Sequence, residues 1–516
     1  MLKSNNTVLN IVFAALVGLV LAAGVGEAMR RLFDGYEMLS WPLVVKSGET
    51  VGKRASGADK INGVALALAG EKPGMMTLFD RQPVLPDLKP IPEILKKRAA
   101  ASPKMGYHAN YVYNRNFVKN NSGNPMFFGA DFPDRVLTYD PPGKATLPRY
   151  RHFPSARLTM GIQTNRYGWR GPDLTVDKPE NVIRIATLGD STTLHQGSIR
   201  ISYPEFITYW LNIWANQKGY DVLFQPINTG RESINSENVR EILRTEVAPF
   251  EPDYLLFYGL GNQWDLYNLV GVDEAVGFGG NAADKYYGQS KMAAFFIGKL
   301  KSVSPWLATA GWLRRRLGAV SGGQGGEPKK PAQHWRQPVG WDEMTPDVRK
   351  LNGVPQFQMY VDDLDDMLTQ SKNMGARLIV QSFKFLAYDG LRLDMKKQSN
   401  IYNYLNRQYF PYSYKNIKRV ADIRNRIFKN WAAINNVDFI DTSKMMPDNP
   451  ALFLDAMHNT QSGVKLRAWA VFLKLLPVVE ADLKTGRLPR PDQGPNKTHP
   501  YMAPPKLEKI SDITGK

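Results

Sequence analysis

The 516-residue sequence contains no cysteine. Disulfides and thiolate zinc sites are therefore excluded, which suits either side of a membrane and says nothing more about compartment. Histidine is scarce: His108, His152, His195, His334, His458 and His499 are the only imidazoles in the chain. There is no zinc finger, Walker loop or RNA-binding signature, so nucleic acid is not expected as a partner. No Gly-x-Ser-x-Gly elbow occurs, which disfavours an ordinary α/β-hydrolase. Internal repeats are absent as well.

What is present fits a folded chain. Hydrophobic residues make up 43% and charged residues 22%, enough apolar side chains for more than one core. The formal net charge is +18. Apart from solubility, such an excess suits an acidic partner such as anionic lipid or an acidic polysaccharide. Between Val8 and Gly26 only Asn10 is polar, and no charge lies between Lys3 and Glu27. At ~1.5 Å per residue, that run is about long enough to cross a hydrocarbon core. The expectation is a cytoplasmic tail over 1–7, an uncleaved transmembrane anchor over 8–26, and an exported body. This places the protein in the inner membrane, single-pass, with its main domain on the periplasmic side. A cleaved signal peptide is the rival, because "LAAGVGEA" half satisfies a cleavage site.

Residues 27–160 are rich in Pro, Gly and Tyr and read as a linker with an irregular or β-containing lead-in. From about 181 the texture changes to short apolar runs: "VIRIATLG" (182–189), "DVLFQPIN" (221–228), "DYLLFYGL" (253–260), "ARLIVQSF" (376–383) and "VDFIDTS" (437–443). Helical spacing predicts helices over 358–374, 418–435 and 464–483. Five buried-looking strands alternating with helices predict a parallel sheet covered on both faces, within a domain spanning 161–484. Polar and glycine residues gather after three of the strands, where open α/β sheets place their sites.

Residues 264–350 are too long for an ordinary loop and read as an insertion. No Asp or Glu occurs between Asp284 and Glu327. Over 291–316, Lys291, Lys299, Lys301 and Arg314–Arg316 interleave with Phe295, Phe296, Trp306 and Trp312. This basic stretch could lie on an anionic membrane surface. The plainer reading is a helical insertion with its charges in water. The tail 485–516 carries many prolines and reads as extended.

The first apolar run stops at Gly-Asp-Ser. Ser191 can be a helix N-cap, or a nucleophile if other parts of the chain supply a base, an orienting acid and oxyanion donors. His458 lies in "DAMHNTQSG", three residues after Asp455, a spacing that can hold a carboxylate against one imidazole nitrogen. His195, four residues past Ser191, is expected to face substrate or solvent. Gly230 in "NTGRES" and Asn262 in "GLGN" follow the second and third strands and offer an N–H and a side-chain amide.

This ordered set resembles the SGNH (GDSL-type) hydrolase superfamily, whose Gly-Asp-Ser, glycine, Gly-x-Asn and Asp-x-x-His blocks correspond to "GDSTT", "NTGRES", "GLGN" and "DAMH". The third block departs from the family pattern, with Leu260 two residues before Asn262 and Gln263 after it. "TNRYGWRGPDL" (164–174) and "GEAMRRLF" (26–33) look like segments of its membrane-anchored bacterial members. The resemblance implies a flavodoxin-like three-layer αβα fold. It implies Ser191 as nucleophile, His458 as general base and Asp455 as its orienting acid. The oxyanion hole would comprise the Ser191 N–H, Gly230 and Asn262, with no metal or cofactor. The implied activity is hydrolysis of acyl esters, of an extracytoplasmic carbohydrate in many exported members. Two alternatives stand beside it: a polysaccharide O-acetyltransferase fed by a membrane acyltransferase partner, and a catalytically silent exported scaffold.

Overall fold

The structure is a computed structural model. It describes residues 57–90 except 71–72 and 85–86, residues 135–138, 152 and 155–157, residues 162–286 except 196–198, 232–233, 260 and 274, residues 324–491 except 339, and residues 506–509. The expected tail 1–7 and anchor 8–26, the basic stretch 291–316 and most of the tail 485–516 lie outside the described residues. Among the described residues, no helix is long and apolar enough to cross a membrane.

The apolar runs form five strands: β1 (Val182–Leu188), β2 (Leu223–Asn228), β3 (Tyr254–Tyr258), β4 (Arg377–Gln381) and β5 (Asp438–Ile440). All neighbours pair in parallel, in the order β5-β4-β3-β1-β2. This is the flavodoxin-like 2-1-3-4-5 order, with its switch point between β1 and β3. Every residue of β1 and β3 is buried, as central strands covered on both faces must be. Edge strand β2 begins with an exposed Leu223.

The helices are α1 (Gly57–Leu68), α2 (Pro73–Phe79), α3 (Ser191–Leu194), α4 (Tyr203–Lys218), α5 (Ser236–Ile242), α6 (Pro355–Asn373), α7 (Tyr414–Ile434) and α8 (Gln461–Lys484). Helices α4, α8 and α1 pack together as one layer; α5, α6 and α7 contact one another or β4 and β5 as the other. Right-handed crossovers in a 2-1-3-4-5 sheet require this split. The first layer is sealed by aromatic rings: Trp469 lies 5.3 Å from Trp210, 5.2 Å from Phe472 and 5.3 Å from Phe79.

Two expectations need correction. The lead-in is not simply irregular or β-containing, since α1 and α2 fall within it. Ile61 and Ala65 are buried one helical turn apart, and the Trp469 indole donates to the Ala65 carbonyl at 3.0 Å. The Pro, Gly and Tyr content of the whole region masked this short apolar spacing. The second correction concerns the insertion 264–350. Val270–Val272 pairs antiparallel with Gln333–Trp335, so both ends of that segment belong to the sheet-bearing unit. A second compact unit draws its described residues from Ala275–Lys330 and also from Gly390–Pro411, after β4. In it, Gln324–Gly325 pairs with Leu393–Asp394, and Arg407 pairs with Asp284 at 2.6 Å. Pairing between chain-distant segments leaves no periodic trace in either.

The N-terminal edge of the sheet is held by buried charge. Asp253, just before β3, receives both carboxylate contacts of Lys178 at 2.7 Å, the Arg490 guanidinium at 2.8 Å and the Arg184 N–H at 2.7 Å. The Arg184 guanidinium, fully buried in β1, donates to the carbonyls of Val176 at 2.9 Å and Phe250 at 2.7 Å. Removing the carboxylate would take the anion away from the buried Lys178 and the half-buried Arg490. Asp253→Ala should therefore lower stability by about 3–5 kcal/mol. Chemical denaturation checks this. Any ester-cleaving activity per folded molecule should stay near wild type, because Asp253 lies at the sheet edge opposite Ser191.

Candidate active site

β1 ends at Leu188, and the chain turns at Gly189 with no room for a side chain. A Cβ there would strike the Thr193 hydroxyl and lie 2.9 Å from the Thr193 Cβ. Asp190 follows in extended conformation and caps α3: its Oδ1 accepts from the Thr192 N–H at 2.8 Å and the Thr192 hydroxyl at 2.7 Å. Ser191 is thus the first residue of a single helical turn, where its own N–H has no intrahelical partner.

The Asp-x-x-His segment meets this turn. Ser191 Oγ lies 2.8 Å from His458 Nε2, and His458 Nδ1 lies 2.8 Å from Asp455 Oδ2. Asp455 Oδ1 accepts from the Met457 and His458 N–H groups at 2.8 and 2.9 Å. One carboxylate thus folds the loop and holds the ring that the loop carries. Burial pushes the Asp455 carboxyl up, but the hydrogen bonds and charge of His458 and the two backbone donors outweigh it and leave the group below the ordinary carboxylate range. An ionised Asp455 accepts a hydrogen bond from the His458 Nδ1–H, leaving Nε2 as the acceptor for the serine hydroxyl.

The other two blocks reach the same turn. Gly230 follows β2 with its backbone against α3; a Cβ there would lie 2.5 Å from the Leu194 nitrogen. Its N–H donates to Asn228 Oδ1 at 3.1 Å, while the Asn228 amide donates to the Thr193 carbonyl at 3.1 Å. Asn262 donates its amide hydrogens to Asp190 Oδ2 at 3.1 Å and to the Ile234 carbonyl at 3.0 Å. The Gly261 N–H also reaches Asp190 Oδ2, at 2.8 Å. The structure therefore gathers all the expected site residues around α3. Gly230 and Asn262 already have acceptors within the protein, and either must share or exchange that bond to hold an oxyanion.

His195 departs from its expected role. It is 2% exposed and turned into the protein interior. Its Nε2 lies 3.0 Å from Arg467 Nη2. His195 ends α3 with a positive φ of 59° and ψ of 136°, which turns the chain so that the ring lies inward. Three supporting residues escaped the motif reading. The second oxygen of Asp190 ties the first block to the third. Arg170, from the "TNRYGWRGPDL" segment, donates to the carbonyls of Leu194, His195 and Ile199 at 3.1, 2.9 and 2.5 Å and lies 3.7 Å from Glu205. Arg467, a lone charge in the apolar stretch of α8, donates to the Thr192 carbonyl at 2.8 Å. Only Arg467 left a trace in the pattern, as a cation where helical spacing calls for an apolar residue. Among the described residues, no group of three or more His, Asp or Glu side chains could hold a metal ion.

No protein-family model matches the chain, and no curated protein matches its sequence. Its structure is similar to solved structures of other proteins. A lipase/acylhydrolase from Enterococcus faecalis is 14% identical, over 60% of this chain and 100% of that one, with a TM-score of 0.28. A GDSL-like lipase from Bacteroides thetaiotaomicron is 10% identical, over 57% and 88%, with a TM-score of 0.27. An acetylxylan esterase from Geobacillus stearothermophilus is 12% identical, over 58% and 96%, with a TM-score of 0.29. Likeness at this level carries no weight for function, which has to come from the geometry around Ser191.

Two buried histidines give the molecule a pH dependence. Burial, then the charges of Arg467, Arg170 and His458, hold His195 well below the ordinary histidine range. Burial, then Arg231 and Arg170, push His152 down to about 3. Both are neutral in the fold, whereas in the unfolded chain each titrates near ~6.5. Below that pH the unfolded chain binds more protons, so stability is full above ~6.5 and is lost as pH falls toward the folded values. Each group contributes up to ~1.4 kcal/mol per pH unit. Urea denaturation at pH 7.5 and pH 5 should show a loss of up to ~4 kcal/mol; equal stability at both would contradict the neutral burial of these rings.

Proposed function

We propose that this protein is a serine ester hydrolase of the SGNH type, anchored in a membrane by residues 8–26 and acting on acyl esters of an extracytoplasmic carbohydrate. The observation that carries the reading is the unbroken hydrogen-bond chain Ser191–His458–Asp455 at the C-terminal edge of the parallel sheet. A structural N-cap serine needs neither an imidazole at 2.8 Å nor a carboxylate behind that imidazole.

In this reading the Ser191 hydroxyl attacks the ester carbonyl while His458 Nε2 accepts its proton. Asp455 stabilises the resulting imidazolium and keeps the ring in the orientation set by its own loop. The negative charge that builds on the carbonyl oxygen is met by the Ser191 N–H, with the Gly230 N–H and the Asn262 amide as further donors. His458 then returns the proton to the leaving alcohol. Water, activated by the same nitrogen, releases the acid from Ser191. The net charge of +18 supports an acidic polysaccharide as the acyl carrier.

The test is p-nitrophenyl acetate hydrolysis by the full-length chain beside two variants. Ser191→Ala should fold normally and lose turnover to background. Asp455→Asn should lower kcat by about 10⁴-fold, because the amide no longer fixes the Nδ1–H tautomer. Unchanged hydrolysis in Ser191→Ala would remove the nucleophile assignment. For the anchor, the full-length protein should fractionate with membranes and keep its first residues by mass spectrometry; a soluble form starting near residue 25 would show cleavage instead.

A further inference from the structure

Behind the nucleophile lies a buried cation whose contacts are all neutral. Arg467, on α8, is 1% exposed. Its Nη2 meets two uncharged acceptors, the Thr192 carbonyl at 2.8 Å and His195 Nε2 at 3.0 Å. Its Nε and Nη1 have no hydrogen-bond partner among the described residues. The guanidinium lies between aromatic rings, 4.1 Å from the centroid of Tyr203 and 4.3 Å from that of Tyr258. Three other buried cations of this unit have carboxylate partners, Lys178 with Asp253, Arg231 with Glu246 and Arg170 with Glu205; Arg184 donates to backbone carbonyls and Arg424 lies over the Trp264 and Phe383 rings.

Burying an unpaired charge is costly, and ring faces offset only part of that cost. A methionine or leucine would fill the space among Tyr203, Tyr258 and α3 without it. The placement matters because Thr192 is the residue after Ser191. A guanidinium on its carbonyl fixes the turn that aims the Ser191 hydroxyl at His458. Arginine has no acceptor, so His195 must present a bare Nε2 and carry its proton on Nδ1. The ring thus acts as a second fixed acceptor and holds the fork in place. In a water-poor interior, a positive charge one residue from the reacting oxygen also favours the anionic tetrahedral state. The same charge works against a protonated His458, and there Asp455 at 2.8 Å supplies the compensating anion.

We propose that Arg467 is a positioning residue for the nucleophile, acting through the Thr192 carbonyl and the His195 ring, and that its unneutralised charge favours the anionic intermediate formed on Ser191. This rests on the esterase reading above. The test uses the full-length chain with Arg467→Met, Arg467→Gln and Arg467→Lys, and follows fold by circular dichroism. It measures kcat and KM on p-nitrophenyl acetate, and both the rate and the stoichiometry of fluorophosphonate labelling at Ser191. The neutral variants should lose about 10- to 100-fold in kcat, less than or similar to the loss of a direct oxyanion donor. Their KM should stay within about twofold and their labelling should slow by a similar factor while still reaching one label per chain. A merely structural residue would instead reduce the stoichiometry. Arg467→Lys keeps the charge but loses the planar group stacked between Tyr203 and Tyr258, so it should lose several-fold in kcat, less than about tenfold. A folded neutral variant with wild-type kcat and labelling rate would overturn the proposal. If neither neutral variant folds, Arg467→Lys decides: a folded protein that loses tenfold or more in kcat overturns it. Ser191→Ala separates the two readings. If that variant still hydrolyses ester, the esterase reading fails; if it is inactive while the folded neutral Arg467 variants keep wild-type kcat, only the present proposal fails.

Discussion

One buried carboxylate ties together the loops that leave the two central strands. Asp190 spends one oxygen on the N–H and hydroxyl of Thr192 and so starts the turn that bears Ser191. Its other oxygen takes the Gly261 N–H and the Asn262 amide at the end of β3. Both loops diverge from the sheet at the switch point, where no strand pairing continues to align them. Without Asp190, the buried Thr192 and Gly261 N–H groups would lose their acceptor, and unpaired buried donors are costly. The remaining parts of the site are arranged around this bridge.

Backbone carbonyls need the opposite treatment, and arginine supplies it. A one-turn helix such as α3 leaves its later carbonyls without intrahelical partners. Arg170 takes those of Leu194 and His195, and Arg467 takes that of Thr192. Acidic groups thus satisfy the donors at the start of α3 and cations the acceptors toward its end, the arrangement the helix dipole favours.

The two edges of the sheet divide the work. At the N-terminal edge, Asp253 gathers Lys178 and Arg490, and Asp482 accepts from the Tyr254 hydroxyl at 2.6 Å and pairs with Arg377 at 3.3 Å. These networks are closed on themselves and lock strands to their flanking segments. At the C-terminal edge the polar groups come from loops, and two of them, Gly230 and Asn262, bond within the loops that surround Ser191. Parallel topology imposes this division, because only the C-terminal ends of β1, β2 and β3 lead into loops that converge on one point.

The features legible in the sequence are those whose partners lie nearby along the chain. Apolar runs of strand length marked β1–β5, and the i, i+3 spacing of Asp455 and His458 allowed one to orient the other within a single loop. Glycines at 189 and 230 stood where close backbone approach leaves no space for a Cβ. The order of motifs pointed to Ser191 and His458 as partners, although 267 residues separate them. Other features needed the folded molecule, because they depend on which elements pack side by side. Helices α1 and α2 lay hidden in a Pro- and Gly-rich region, and the second unit joins segments from either side of β4. The inward turn of His195, the second oxygen of Asp190, and the roles of Arg170 and Arg467 are likewise contacts across elements. Periodicity records which face of an element is buried, but not what that face meets; the partner is chosen by packing, and only the tertiary structure supplies it.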